Sequence, residues 1–71
     1  MDFKDLKVKA IIYPHGEYRL GSPAPILDEG SFYRIDSTYI IDKYKIKSIS
    51  VIDDRVDIVM TDKVVTLEVQ Q

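Results

Sequence analysis

The sequence predicts an all-β fold, a small antiparallel barrel or roll of five to six strands in one domain covering residues 1–71. From Ser31 to Val69 apolar residues recur at every second position, which is the period of a half-buried strand. Short acidic or polar breaks interrupt this stretch, as turns interrupt successive strands. The chain contains no cysteine, so its core must come from apolar side chains alone.

The first element is a strand of about seven residues that ends before Pro14. Its alternating apolar positions are Leu6, Val8, Ala10 and Ile12. A short helix after Asp2 is the alternative, but the β-branched residues of this segment favour a strand. Residues 14–16, Pro-His-Gly, have the composition of a turn, and residues 17–20 are expected to return as a short second strand.

A loop is predicted from Gly21 to Gly30. The segment Gly-Ser-Pro-Ala-Pro at its beginning contains two prolines, which lack a backbone donor and restrict the residues before them. We therefore expect neither a central strand nor a helix interior here. Ile26 and Leu27 are expected to pack beneath the sheet, because a loop of this length usually has a packing or binding role.

The longest predicted strand covers residues 31–41. Its two faces are Tyr33, Ile35, Tyr39 and Ile41 on the apolar side, and Arg34, Asp36 and Thr38 on the polar side. After a break at residues 42–43, a further strand begins at Tyr44, and its apolar phase slips at Lys47-Ser48. A β-bulge or sharp bend explains such a slip, and bends of this kind let a small sheet curl around a core.

The last part of the chain predicts a three-strand meander. Residues 53–55, Asp-Asp-Arg, are a hairpin signal, and residues 61–63, Thr-Asp-Lys, form the next turn. The expected inward side chains are Val56, Ile58, Met60, Val65, Leu67 and Val69. Short strands, one long loop and a bent strand are typical of SH3-like and OB-like architectures. No family motif accompanies this likeness, so it implies no function.

Composition narrows the classes of function. Ten basic and twelve acidic residues give a net charge of −2, which argues against a dominant nucleic-acid binder. The longest uncharged run, residues 21–27, is far shorter than the roughly 20 residues of a membrane span. With no signal peptide visible, we expect a soluble cytoplasmic protein without a membrane partner. Because no P-loop, G-x-G-x-x-G or G-x-S-x-G motif occurs, we expect no catalytic residue and no cofactor.

Two groups of residues carry side chains of the types used in acid–base catalysis or metal binding. His15, the only histidine, is a candidate base with Glu17 or a candidate metal ligand, but its place in a turn favours a solvated side chain. Asp53, Asp54 and Asp57 offer oxygen ligands for a hard cation, yet their spacing does not fit an EF-hand loop. An acidic hairpin tip is the expected structure, since aspartate favours turns and its charge deters edge aggregation. We therefore expect no metal site.

Lysines occur at two places where strand alternation would put them on one face: Lys43, Lys45 and Lys47, and Lys7 with Lys9. One interpretation is a positive patch that contacts nucleic-acid phosphates, with Tyr44 or Tyr18 stacking on bases. The other is an ordinary solvated face whose charge is balanced by aspartates on neighbouring strands. The negative net charge favours the solvated face.

Two further surfaces favour protein contacts. Tyr18 lies between two predicted turns and is expected to be exposed, forming a contact patch with Arg19 and Phe32. The last strand, residues 64–69, carries one charge and neither proline nor glycine. If the barrel does not close, this strand is an open edge for a homodimer or for a target strand. Its outward residues are Val64, Thr66 and Glu68. The alternative is that it pairs with the first strand.

These patterns predict a non-enzymatic protein-interaction module, acting as a small regulator or inhibitor of a larger protein or as a subunit of an assembly. The alternative is a nucleic-acid-binding β-barrel that uses the lysine stripe. A protein partner is expected, with a homo-oligomer through the C-terminal strand as an open option. An enzyme has the least support from the residues.

Overall fold

The computed structural model describes residues 5–37 and 39–70. Within them the chain forms seven strands: β1 (Lys7–Tyr13), β2 (Gly16–Asp28), β3 (Phe32–Ile35), β4 (Tyr39–Asp42), β5 (Ile46–Ile52), β6 (Arg55–Met60) and β7 (Val64–Gln70). A single 3-10 turn, Lys43–Lys45, connects β4 to β5. The strands form one antiparallel sheet in the order β4-β3-β2-β1-β7-β6-β5.

The sheet is open, so the predictions of a closed barrel and of five to six strands are wrong. In the described part of the chain β4 and β5 are the two ends of the strand order and do not pair with each other. The all-β class and the C-terminal meander of β5, β6 and β7 are confirmed. The overall dimensions, 28 × 27 × 24 Å, are nearly equal, so the sheet curls around its core instead of lying flat.

One cluster of apolar side chains fills the inside of the curled sheet. Strands β6 and β7 contribute the predicted alternate residues: Val56, Ile58, Met60, Val65, Leu67 and Val69. From the other end of the sheet, Ile35 and Ile41 join the same cluster. The β3–β4 hairpin therefore folds over the inner face of the central strands. Ile26 is buried in this core as expected, whereas Leu27 is exposed.

A β-bulge in β1 shifts the alternation that the sequence predicts there. In the ladder with β7, Val8 and Ala10 take successive positions, so Lys9 is an extra residue. Val8 and Ile11 both enter the core because the phase changes between them. Ala10 is buried outside that cluster, and Ile12 is only half-buried. The expectation of an even-numbered inner face along this strand is wrong beyond Lys9.

Strand β2 runs through most of the region 21–30 that was predicted to be a loop, so that prediction is wrong. The two prolines fit because they occupy positions where little pairing is lost. The ladder with β1 is interrupted at residues 20–23, which include Pro23. The ladder with β3 begins only at Ile26, one residue after Pro25. Pro23 therefore lies at an irregular point of a central strand, whereas Pro25 still pairs with Lys7 of β1.

Residues 31–41, predicted to be one long strand, instead contain two strands, β3 and β4, that form a hairpin. Strands β3 and β4 are joined by a turn in which Asp36 and Ser37 have φ of 54° and 59°. Two successive residues in the left-handed region reverse the chain, and aspartate tolerates that region better than most residues. The apolar face is confirmed, because three connecting residues keep the alternation of the two strands in phase. Thr38, predicted on the polar face, lies outside the described residues.

The bulge and the turns predicted for β5 to β7 are confirmed, but the predicted start at Tyr44 is wrong, because Tyr44 lies in the 3-10 turn and β5 begins at Ile46. The register shift between Ile46 and Ser48 is the expected bulge. Residues 53–54 form the turn between β5 and β6, and residues 61–63 connect β6 to β7. After the bulge, the phase of β5 is fixed by its ladder with β6. This register determines which β5 side chains face the core and which face outward.

Candidate interaction surface

Strand β5 is an edge strand whose core-facing side chains remain exposed. In the described part of the chain it pairs only with β6. Ile49 lies opposite Ile58 and Val51 lies opposite Val56, and both β6 partners are fully buried. Ile49 and Val51 thus continue the apolar inner face, yet they are 36% and 41% exposed. An apolar face that extends beyond its cover is typical of a contact surface.

The unpaired backbone groups of β5 lie at these same two residues. Ile52 and Arg55 flank the two-residue turn, so they are the hydrogen-bonded pair that closes the hairpin. Alternation along the ladder makes Ser50 the next β5 residue bonded to β6. The N–H and C=O groups of Ile49 and Val51 consequently point away from β6. They are directed at the open side of the sheet.

Little on β5 deters pairing with another strand. The segment Ile46–Ile52 has neither proline nor glycine, and Lys47 is its only charged residue. Ile52 adds an exposed apolar side chain on the outer face. We name Ile49, Val51 and Ile52 together with the unpaired backbone the β5 edge. Such an edge suits the addition of a strand from another chain.

Strand β4, at the other end of the sheet, is a less favourable contact surface than β5. It has four residues, and its inner side chains are covered: Ile41 is buried and Tyr39 packs against the core. Ile40 is 57% exposed, but it alternates with these residues and so lies on the outer face. Strand β4 therefore has no uncovered part of the inner face comparable to β5.

The C-terminal strand that was predicted to be an oligomer edge is a central strand. Strand β7 pairs with β1 on one side and β6 on the other, so pairing with the first strand is the alternative that holds. Val64 is exposed on the outer face. Thr66 donates a hydrogen bond to Asp57 Oδ1 at 3.1 Å, and Glu68 accepts one from Arg19 Nη1 at 3.4 Å. Thr66 thus links β7 to its neighbour β6, Glu68 reaches across β1 to β2, and the backbone of β7 is not available to a partner.

The lysine stripe predicted for one strand face does not form. Lys43–Lys45 is a 3-10 turn capped by Asp42, whose carboxylate accepts a backbone hydrogen bond inside the turn. Only Lys47 of the three lysines lies in a strand. Lys7 and Lys9 are on β1, which β7 and β6 separate from β5. The two lysine groups therefore do not lie on neighbouring strands, which one continuous positive patch would require.

Two lysines of the predicted stripe already contact acidic residues. Lys43 Nζ lies 2.6 Å from Asp28 Oδ1 and 4.7 Å from the centre of the Tyr33 ring. The hydrogen bond that the Lys43 ammonium donates to the Asp28 carboxylate raises the pKa of Lys43. Lys45 Nζ lies 3.9 Å from Asp62 Oδ2. This local neutralisation weakens the surface as a site for phosphate groups.

Tyr18, Arg19 and Phe32 do not come together as the predicted contact patch. Tyr18 is exposed as expected, but its neighbour Arg19 points to the opposite face of β2. Arg19 Nη2 pairs with Glu17 Oε2 at 2.6 Å. Phe32 is half-buried, and the Arg34 guanidinium lies 6.0 Å from its ring centre. Each side chain therefore has its own local environment.

Tyr13 and Tyr39 close one end of the core. Their ring centres are 5.2 Å apart in an edge-to-face arrangement. Burial raises the pKa of both hydroxyl groups, and the nearby Tyr18 hydroxyl adds to the shift at Tyr13. These tyrosines stay neutral over the physiological pH range and act as packing side chains.

The residues considered for metal or base chemistry lie in turns or in surface contacts. His15 is exposed in the turn between β1 and β2, and Asp53 and Asp54 are exposed at the β5–β6 turn. Asp57 instead lies on β6, 3.5 Å from Arg55 Nε. Over residues 5–37 and 39–70, no three histidine or acidic side chains are grouped to hold a metal. Nor does this part of the chain contain a helix long and apolar enough to cross a membrane.

Comparison of the chain with protein-family models, curated proteins and solved structures finds no match. Fold and surface together define the class as a small all-β domain with an open antiparallel sheet. Its function has to be inferred from the chemistry of its own surface.

Proposed function

We propose that this protein is a non-enzymatic interaction module that binds another polypeptide through the β5 edge. The supporting observation is the exposure of Ile49 and Val51 on the same inner face as the fully buried β6 residues beside them. A strand added here would bond the free backbone groups and cover both side chains. The biological role would be that of a small regulator or inhibitor, or of an assembly subunit.

The chemistry of the edge favours a polypeptide over a nucleic acid. Fully covering an aliphatic side chain of this size is worth about 1.5–3 kcal/mol, and part of that gain is still available at Ile49 and Val51. Backbone hydrogen bonds would fix the direction and register of the added strand. The contacts of Lys43 and Lys45 with aspartates leave less positive charge for phosphates.

Within the all-β class we further propose a partly open roll of SH3-like or OB-like architecture. The long strand β2 supports this, because residues up to Pro25 pair with β1 and the last residues, 26–28, pair with β3. A strand shared in this way lets one sheet fold over a single core.

Affinity capture from the host cell tests the proposed function with two matched variants. Val51→Lys places a charge on the inner side of the β5 edge, whereas Ile40→Lys makes a similar change on the outer face of β4. We expect the wild type and Ile40→Lys to retain the same partner and Val51→Lys to lose it. Equal retention by all three proteins, or retention of nothing by any, would contradict binding at the β5 edge.

A further inference from the structure

We infer that a second copy of this chain can occupy the β5 edge, with the two β5 strands antiparallel and the two-fold axis at Ser50. The inference rests on the proposed function in taking β5 as an open edge. It adds the identity of one partner and the register of pairing. Its basis is the complementarity of β5 to itself.

Only some registers keep the inner faces of both copies on the same side of the joined sheet. Directly opposed residues share a face, so inner residues must oppose inner residues. By residue count, an axis at Ile49 would place Val51 opposite Lys47 at the β-bulge, and an axis at Val51 would place Ile49 opposite Asp53 in the turn. Both arrangements set an apolar side chain against a charge. An axis at Ser50 instead sets Ile49 opposite Val51 in both halves of the dimer.

Charges support the same register. With the axis at Ser50, Lys47 at the β-bulge of one copy and Asp53 in the turn after β5 of the other copy lie at the same end of the paired strands, just beyond the regular ladder. Among the described residues neither Lys47 nor Asp53 has an ion-pair partner within its own chain. Two-fold symmetry would form this pair twice, once at each end of the paired strands. Opposite charges brought to the same end of the paired strands favour this register over others.

The backbone fits this register as well. Ile49 and Val51 carry the N–H and C=O groups that point to the open side, so they can form hydrogen-bonded pairs across the axis. Ser50 already bonds to β6 and would form a non-hydrogen-bonded pair with its symmetry mate. The dimer would therefore join two seven-stranded sheets into one continuous sheet.

Single-cysteine variants test the register directly, because the chain has no cysteine of its own. In a non-hydrogen-bonded pair the Cα atoms are about 4.5 Å apart, which lies within the range of about 4.4–6.8 Å that a disulfide spans. Ser50→Cys therefore brings two thiols together at the axis. The control Ser48→Cys lies on the same outer face, but the two thiols would be four residues apart, about 14 Å along the strands.

We expect wild-type protein to sediment as a dimer fraction that rises with concentration. Under mild oxidation Ser50→Cys should form a covalent dimer, while Ser48→Cys remains uncross-linked. Circular dichroism like that of the wild type would show that both variants keep the fold. A wild type that stays monomeric at all concentrations, or equal cross-linking of the two variants, would overturn the inference. Neither result would decide the capture experiment with Val51→Lys, so failure of the dimer and failure of the proposed function are distinguishable.

Discussion

Replacing Ile58 with alanine is expected to lower the free energy of unfolding by about 2–5 kcal/mol. Ile58 is fully buried at the centre of the meander, between Ile49 of β5 and Val65 of β7. Truncation would remove apolar contacts and leave a cavity that the surrounding strands can fill only in part. Because a domain of this size has a small stability margin, the variant should be partly unfolded well below the wild-type melting temperature.

Urea denaturation followed by circular dichroism measures this loss, with Ile40→Ala as the matched control. The control makes the same chemical change at a side chain that is 57% exposed. Surface substitutions of this kind usually change stability by no more than about 0.5 kcal/mol. Comparable losses in the two variants would mean that Ile58 is not at the centre of the core.

Thr66→Pro is expected to be at least as damaging, because Thr66 lies in a strand with neighbours on both sides. It pairs with Ile12 of β1 and with Asp57 of β6. Proline removes a ladder hydrogen bond and leaves the carbonyl of its partner on β1 without a donor, which costs about 1–3 kcal/mol, and its ring adds backbone strain. We expect a total loss of at least about 3 kcal/mol, measured by the same urea denaturation.

Val51→Pro is the matched variant on the edge strand. The N–H of Val51 points to the open side of β5, so its removal breaks no hydrogen bond within the chain. The loss of stability should be smaller than that of Thr66→Pro by more than about 1 kcal/mol. If Val51→Pro proved the more damaging substitution, the assignment of β5 as edge and β7 as centre would be reversed.

The faces of the strands could be predicted from the sequence because side-chain alternation is a local property. Spacing alone predicts Val56, Ile58 and Leu67 in the core, and they lie there. The alternation of inner and outer side chains also holds in the β3–β4 hairpin, where the sequence predicts one continuous strand. Where a β-bulge adds a residue, as at Lys9, the local pattern no longer gives the face.

The strand order could not be predicted because it depends on pairing between distant parts of the chain. The segments 46–52 and 64–69 look alike in sequence, since each has one charge and neither proline nor glycine. Position at the end of the chain suggested that the last strand was the edge, but it pairs with β1. The lysine stripe does not form for a local reason: residues 43–45 adopt a 3-10 turn capped by Asp42 and are not part of a strand.

Amide hydrogen exchange followed by NMR tests the open β5 edge most directly, at a concentration where the protein is monomeric. The amides of Ile49 and Val51 should exchange rapidly, whereas those of Ser50, Ile52 and Thr66 should be protected by their strand partners. Slow exchange at Ile49 and Val51 in the monomer would show that another part of the chain already occupies the edge. That result would contradict the surface on which both proposals depend.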